Sequence, residues 1–196
     1  NYQTGFEEQE IEKRTNPKLL MPEAESIIAI AVAYPSKMRN RPKNETHNRR
    51  GLFARASWGE DYHKVLRTRL KKLEQFIQER VPQAKMTSMV DTGELSDRAV
   101  AERAGLGFVG KNCALITPEF GSYVYLGEMI TNIPFPSDQP VTDTCGSCNK
   151  CVDACPTGAL VQGGQLDADR CLACLTQTKG FVPDGYREKI GNRLYG

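Results

Sequence analysis

Four cysteines within eleven residues constrain this chain more than any other feature. The stretch from Cys145 to Pro156 reads Cys-Gly-Ser-Cys-Asn-Lys-Cys-Val-Asp-Ala-Cys-Pro. Its spacing, C-x2-C-x2-C-x3-C-P, is the run that holds cubane iron–sulfur clusters in bacterial two-cluster ferredoxins. Two residues between thiolates let one tight loop wrap three corners of a small cluster. The fourth thiolate, Cys155, is carried towards a second cluster, and Pro156 keeps the chain from folding that sulfur back. A structural zinc site would favour separated Cys pairs over four Cys with a trailing Pro. Five of the seven cysteines lie between 145 and 171, with Cys174 close behind and Cys113 apart. That clustering fits metal ligation in a reducing compartment better than a disulfide framework.

The remaining chain must supply a domain around this module. At 196 residues, 39% hydrophobic and 26% charged, it can bury a core as one large domain or one domain plus a small module. A formal net charge of +2 selects no partner, so only local patches can argue for one. The longest apolar run, Ile27 to Tyr34, has eight residues, too few to cross a bilayer. With no signal peptide at the start, a cytoplasmic protein with no membrane contact is expected. Asn1 to Gly5 lacks a start Met, and the chain stops at Gly196 with an incomplete ligand set, so truncation at both ends is also expected.

In chain order, a polar opening segment leads to the β-branched run 27–34, which predicts a buried central strand ended by Pro35. Residues 36–50 carry Lys37, Arg39, Arg41, Lys43, Arg49 and Arg50 against Glu45 alone, without hydrophobic periodicity. They predict a basic loop, suited either to phosphate contacts or simply to solvation. From 61 to 80, Tyr62, Val65, Leu66, Leu70, Leu73, Phe76 and Ile77 mark the apolar stripe of an amphipathic helix, stopped by Pro82. Residues 86–90 predict a short strand, and a helix is expected from Asp91 to about Ala104 with Gly105 as its stop. Strands at 113–117 and 123–130 are expected to form a hairpin around Pro118 to Gly121. Pro134, Pro136 and Pro140 make a stiff linker, and 187–194 predicts a last short helix.

Gly105-Leu-Gly-Phe-Val-Gly110-Lys111-Asn112 mimics both a dinucleotide fingerprint and a P-loop. Each of those needs a strand before and a helix after, whereas here a helix precedes and a strand follows. What survives is a glycine-rich backbone able to approach a large ligand, with Lys111 beside it. Asp91, with Glu94 three residues on, reads as a helix N-cap with its capping-box partner. Its alternative role is a proton donor. His47 and His63 are too few for a His-based triad or zinc hydrolase.

Residues Asp91 to Gly107, Gly110-Lys111-Asn112 and the cysteine run together resemble epoxyqueuosine reductases. The likeness continues through Arg55 to Gly59, Gly121 to Tyr123 and Leu175 to Gln177, covering essentially the whole chain. The resemblance implies an α+β protein. A nitroreductase-like cobalamin-binding α/β domain over 1–138, similar to that of reductive dehalogenases, would precede a ferredoxin-like module over 139–196. That module would hold two [4Fe-4S] clusters and is incomplete here. The activity implied is reduction of epoxyqueuosine to queuosine in the tRNA anticodon loop. The partners implied are that tRNA and an electron donor such as flavodoxin or ferredoxin, with the enzyme a monomer. Residue by residue, Asp91 matches the proton donor near the cobalt. Arg14, Ala54, Leu115 and Leu126 match corrin contacts, with Lys111 a further candidate cofactor contact. Cys145, Cys148 and Cys151 match ligands of one cubane, and Cys155 and Cys171 match ligands of the other. Cys174 reads as a buried thiol. The family binds cobalamin without a lower histidine. A dehalogenase-like enzyme acting on a small molecule, or a ferredoxin-type carrier, are the alternative functions; the carrier leaves some 140 residues unexplained.

Overall fold

A computed structural model describes residues 7–34 and 45–196. Lys37, Arg39, Arg41 and Lys43 of the basic loop lie outside the described residues. The chain is α+β, and its centre is a three-stranded antiparallel sheet. Strand β1 (Ser26–Ala33) and strand β3 (Met86–Met89) both pair with β6 (Val124–Thr131), giving the order β1-β6-β3. Between β1 and β3 lie a two-residue strand β2 (Leu52–Phe53) and helix α2 (Tyr62–Gln78); a short helix α1 (Ile11–Thr15) precedes β1.

The run at 27–34 was expected to be the central strand, but among the described residues that place belongs to β6. The reason is that β6 is apolar on both faces. Met129 joins Leu66, Leu70 and Ile77 of α2 with Ala84 and Val90 in one core. Ile130 joins Met21, Ala24 and Leu95 in a second core on the opposite face. β1, half-buried along most of its length, has one partner among the described residues. Helix α2 follows its predicted stripe and starts at its N-cap, Asp61, whose side chain accepts the His63 N–H at 2.9 Å. Phe76 departs from the stripe: its ring is 51% exposed and is covered by the Arg80 guanidinium at 3.6 Å.

The helix expected from Asp91 begins later. Helix α3 spans Asp97–Arg103 with Ser96 as N-cap, and 91–96 form an irregular loop. Asp91 has φ 59, a left-handed conformation that cannot open a right-handed helix, so the capping-box expectation fails. The hairpin expectation is also corrected. Strand β5 (Leu115–Ile116) pairs with β4 (Phe108–Val109), not with β6, although Thr117 and Gly121 do close a tight turn. Gly107 lets this happen, since a Cβ there would overlap the Ile116 carbonyl. Helix α3 precedes β4, the reverse of both phosphate-binding patterns.

The cysteine region contains α4 (Lys150–Asp153), the hairpin strands β7 (Leu160–Gln162) and β8 (Gln165–Leu166), α5 (Leu172–Leu175) and α6 (Asp184–Ile190). Leu172, Leu175 and Ile190 form its own small core with Val182 and Tyr186. The final helix therefore starts and stops earlier than 187–194, because Gly191 at φ 60 ends it. Strand β9 (Arg193–Tyr195) then lies parallel to β2, and the Ala54 N–H donates to the Tyr195 carbonyl at 2.8 Å. This pairing ties the cysteine region to the segment before Ala54.

Candidate active site and cluster cradle

Asp91 stands just beyond β3, and its left-handed backbone is secured from below. Its N–H donates to Oδ2 of Asp97 at 3.0 Å, and the Thr92 N–H donates to the Val90 carbonyl at 2.6 Å. A non-glycine residue held this way costs on the order of 1–3 kcal/mol, a cost that persists where surrounding contacts enforce it. The side chain is 59% exposed, and Oδ2 lies 3.3 Å from Nε2 of His63. Nδ1 of the same ring lies 2.8 Å from Oδ1 of Asp61, so both imidazole nitrogens are engaged. The His63 ring and N–H hold the Asp61 carboxyl below its ordinary value. Burial, and then the adjoining Asp91 carboxylate, push the Tyr62 phenol well above the usual tyrosine range, so it stays a proton-bearing donor.

An aromatic surface extends from this point. Tyr62 stacks on Tyr125 at 4.6 Å with the rings 5° from parallel, and Tyr125 meets Tyr34 at 4.5 Å. Tyr34 contacts Tyr123 edge-on at 5.7 Å, and the Arg55 guanidinium sits 5.5 Å over Tyr123. The Tyr125 hydroxyl donates to the Ala56 carbonyl at 2.6 Å. Through that bond the turn after Ala54 reaches the face that carries Tyr62, His63 and Asp91. Sequence reading missed this group, although the alternation of Tyr123, just before β6, with Tyr125 on it was a readable signal.

Beneath the Asp91 loop lies a buried pair of acids. Glu128 of β6 is 1% exposed, and its Oε1 has no hydrogen-bond partner. The Asp97 carboxyl, on the helix packed against this strand, lies beside it. Burial, then the Asp97 charge beside it, push the Glu128 carboxyl up to about 9. Burial raises Asp97 too, opposed in part by the Asp91 N–H that it accepts.

The other expected contacts are dispersed. Arg14, in α1, lines a groove of about 730 Å³ together with Ser96, Ala99 and Arg103, and Asp91 is not on that groove. Leu126 is half-buried on β6 opposite Ala31, and Leu115 on β5 is 2% exposed. Lys111 turns towards the cysteine loop: its N–H donates to Sγ of Cys145 at 3.4 Å. Its ammonium donates to the Gly146 carbonyl at 2.9 Å and to Oδ1 of Asn149 at 2.7 Å.

Cys151, Cys155 and Cys171 line one cavity of about 360 Å³ with Pro156, Thr157 and Leu172. The Ala159 N–H donates to Sγ of Cys155 at 3.2 Å. Burial alone would raise the Cys155 thiol, but the N–H groups of Leu160, Thr157 and Ala159 and the Thr157 hydroxyl bring it down to about 7. Cys145 is half-buried and Cys148 exposed, both away from this cavity's lining. Cys174 is half-buried, and burial raises its thiol. Among the described residues no three His, Cys, Asp or Glu side chains converge on a single metal ion. A cubane holds its thiolates farther apart than one ion does, and the N–H···S bonds to Cys145 and Cys155 suit thiolate ligands of such clusters.

Comparison with known proteins decides the family. Residues 14–92 match the family model described as epoxyqueuosine reductase QueG, DUF1730, and 144–196 match the 4Fe-4S double cluster binding domain. The chain is 69% identical over 196 residues to the epoxyqueuosine reductase of Bacillus cereus, covering 100% of this chain and 52% of that protein. It belongs to the epoxyqueuosine reductase family. A crystal structure of an epoxyqueuosine reductase with a tRNA-Tyr epoxyqueuosine-modified stem loop superposes with a TM-score of 0.96 at 65% identity, over 100% of this chain and 52% of that one. A Bacillus subtilis family member with its catalytic loop swung out of the active site superposes at 0.95 and 64% identity, again over 100% and 52%. The chain thus spans about half the length of the relatives it matches. Among the described residues no helix is long and apolar enough to cross a membrane.

Proposed function

We propose that this protein reduces epoxyqueuosine to queuosine in tRNA, with Asp91 as the proton donor. The observation that carries this reading is the Asp91–His63–Tyr62 constellation, held on a chain that matches epoxyqueuosine reductases along its whole length. One relative's structure contains the epoxyqueuosine-modified tRNA stem loop, and the substrate follows from that likeness. Removing the epoxide oxygen as water consumes two electrons and two protons.

Cobalamin is the redox cofactor proposed, with two [4Fe-4S] clusters that would supply its reducing electrons and a donor such as flavodoxin or ferredoxin as the partner. When bound, cobalamin supplies low-potential cobalt chemistry at the epoxide. Arg14, Ala54, Asp91, Leu115 and Leu126 are proposed to hold it. The fit rests on two features. Asp91 extends from a backbone fixed by Asp97, and His63 has both ring nitrogens engaged by Asp61 and Asp91, so it would not serve as a ligand to the group. Asp91 gives its proton to the oxygen as the C–O bond breaks, while the His63 imidazole, 3.3 Å from Oδ2, fixes its carboxyl direction. Lys111 is assigned to the junction between the two units, because its ammonium bonds the loop that carries Cys145.

The domain division proposed is 1–138 for the catalytic unit and 139–196 for the cluster unit, supported by their separate cores. Cys145, Cys148 and Cys151 are assigned to one cluster, Cys155 and Cys171 to the other. A cytoplasmic monomer completes the reading. The test is to load the whole protein anaerobically with iron, sulfide and cobalamin, add a low-potential reductant and epoxyqueuosine-bearing tRNA, and weigh the digested nucleoside. Loss of one oxygen only with cobalamin present is expected. An unchanged nucleoside with both cofactors verified would redirect the reading to a dehalogenase-like reductase of small molecules.

A further inference from the structure

We infer that Glu128 is a positioning residue: its buried carboxylic acid donates to Asp97, and Asp97 accepts the Asp91 N–H, so a proton inside the sheet locks the Asp91 loop. The consequence for catalysis rests on the reading of Asp91 as proton donor; the lock itself does not.

Three observations point to this chain of contacts. Glu128 lies on the central strand at 1% exposure, with one carboxyl oxygen unpartnered and the Asp97 carboxyl, on the helix packed against that strand, beside it. Asp97, in the first turn of α3, turns its carboxyl back to the Asp91 N–H at 3.0 Å instead of capping its own helix. Asp91 holds φ 59, a conformation that an untethered loop would readily leave. The strand neighbours of Glu128 are Ala29 on β1 and Met89 on β3, neither charged. The charged groups acting on it are Asp97 and, beyond it, Asp91, both acids. With no cation among the described residues to offset them, an ionised Glu128 would repel Asp97 and the lock would open; only the protonated form bridges. The elevated affinity of Glu128 for its proton agrees with this geometry. An ordinary core position would carry an apolar residue here, as its neighbours Met129 and Ile130 do.

The test compares amide hydrogen exchange over 91–96 in the whole protein and in its Glu128→Gln and Glu128→Leu variants. Gln keeps a neutral donor and should leave exchange unchanged. Leu keeps the volume without the donor and should accelerate it by about tenfold or more, while β6 amides stay protected in both variants. Unchanged exchange in Glu128→Leu, or equal acceleration in Glu128→Gln, overturns the inference. Infrared spectroscopy supplies a check that needs no Leu variant. A protonated-carboxyl band at neutral pH that disappears in Glu128→Gln is expected, and its absence from the wild type overturns the lock. Neither readout uses turnover, so a protein inactive on epoxyqueuosine would sink the functional reading and leave this result standing.

Discussion

Nε2 of His63 and Oδ2 of Asp91 lie 3.3 Å apart although 28 positions separate them in sequence. The helix start at Asp61 sets up this approach, because the same aspartate caps α2 and fixes the far side of the imidazole. One ring thus joins a structural cap to the proposed proton donor.

Asp91→Asn separates the proton from the backbone. Asn tolerates the left-handed conformation and keeps the N–H that Asp97 accepts, so the loop should hold its place. Turnover of epoxyqueuosine tRNA should fall by about 10²–10⁴-fold, with cobalamin content and melting temperature unchanged. Single-turnover mass analysis of the nucleoside measures it. Full activity in this variant would remove Asp91 from the chemistry.

His63→Phe preserves the ring that stacks on Tyr62 at 4.0 Å and deletes both nitrogens. Asp91 then loses one orienting contact and keeps its loop anchor. A drop in kcat on the order of tenfold, smaller than that of Asp91→Asn, is the expected result from steady-state assays across pH. A drop equal to that of Asp91→Asn would make the imidazole itself the proton source.

How much of this was legible in the sequence depended on the range of the contacts. The stripe from Val65 to Ile77 is a local pattern, and the helix appears where the chain announces it. The start of α3 was misjudged because Asp-Thr-Gly-Glu satisfies capping chemistry equally well in a loop; Asp97, six residues on, takes the Asp91 N–H. The place of β1 depended on which strand would be covered on both faces, and α2 and α3 decide that from distant positions. Glu128 gave a faint signal, an acid inside the apolar stretch from Val124 to Ile130, but its partner is 31 residues upstream in a different element (128 − 97).

The protonated state of Glu128 has a pH signature. Its folded value, about 9, lies above the ordinary glutamate value of 4.5. A raised value means that the native state holds a proton the unfolded chain releases. Its contribution to stability is therefore full below 4.5 and is lost progressively as pH rises towards about 9. Urea midpoints taken at about pH 6 and about pH 8.5 should decline in the wild type relative to Glu128→Gln, which has nothing to titrate. Parallel midpoints for the two proteins would mean that Glu128 is ionised in the native state.

Gly107→Ala tests how β4 and β5 are held. The new methyl would press into the Ile116 carbonyl and the Thr117 backbone, atoms that cannot rotate away. Destabilisation of about 1–3 kcal/mol is expected from chemical denaturation. Because Lys111 and Cys145 follow from this corner, iron content after reconstitution should fall as well. A neutral result would show that the β4–β5 corner yields freely.

The basic segment supplies the last expectation. Arg49 is exposed and lies between the Glu45–Asn48 bridge and β2, which β9 holds in place. A cation placed on so short a tether can meet a phosphate with little further loss of chain entropy. Arg49→Glu should weaken tRNA binding whatever the stem-loop sequence. It should also reduce the slope of log affinity against log salt by about one for a single lost phosphate contact. Filter binding across a salt series measures both together. Weaker binding with an unchanged slope would point to a perturbed β2–β9 junction, since only a lost counterion-releasing contact changes the slope; no change in either would make this arginine a solvated surface charge.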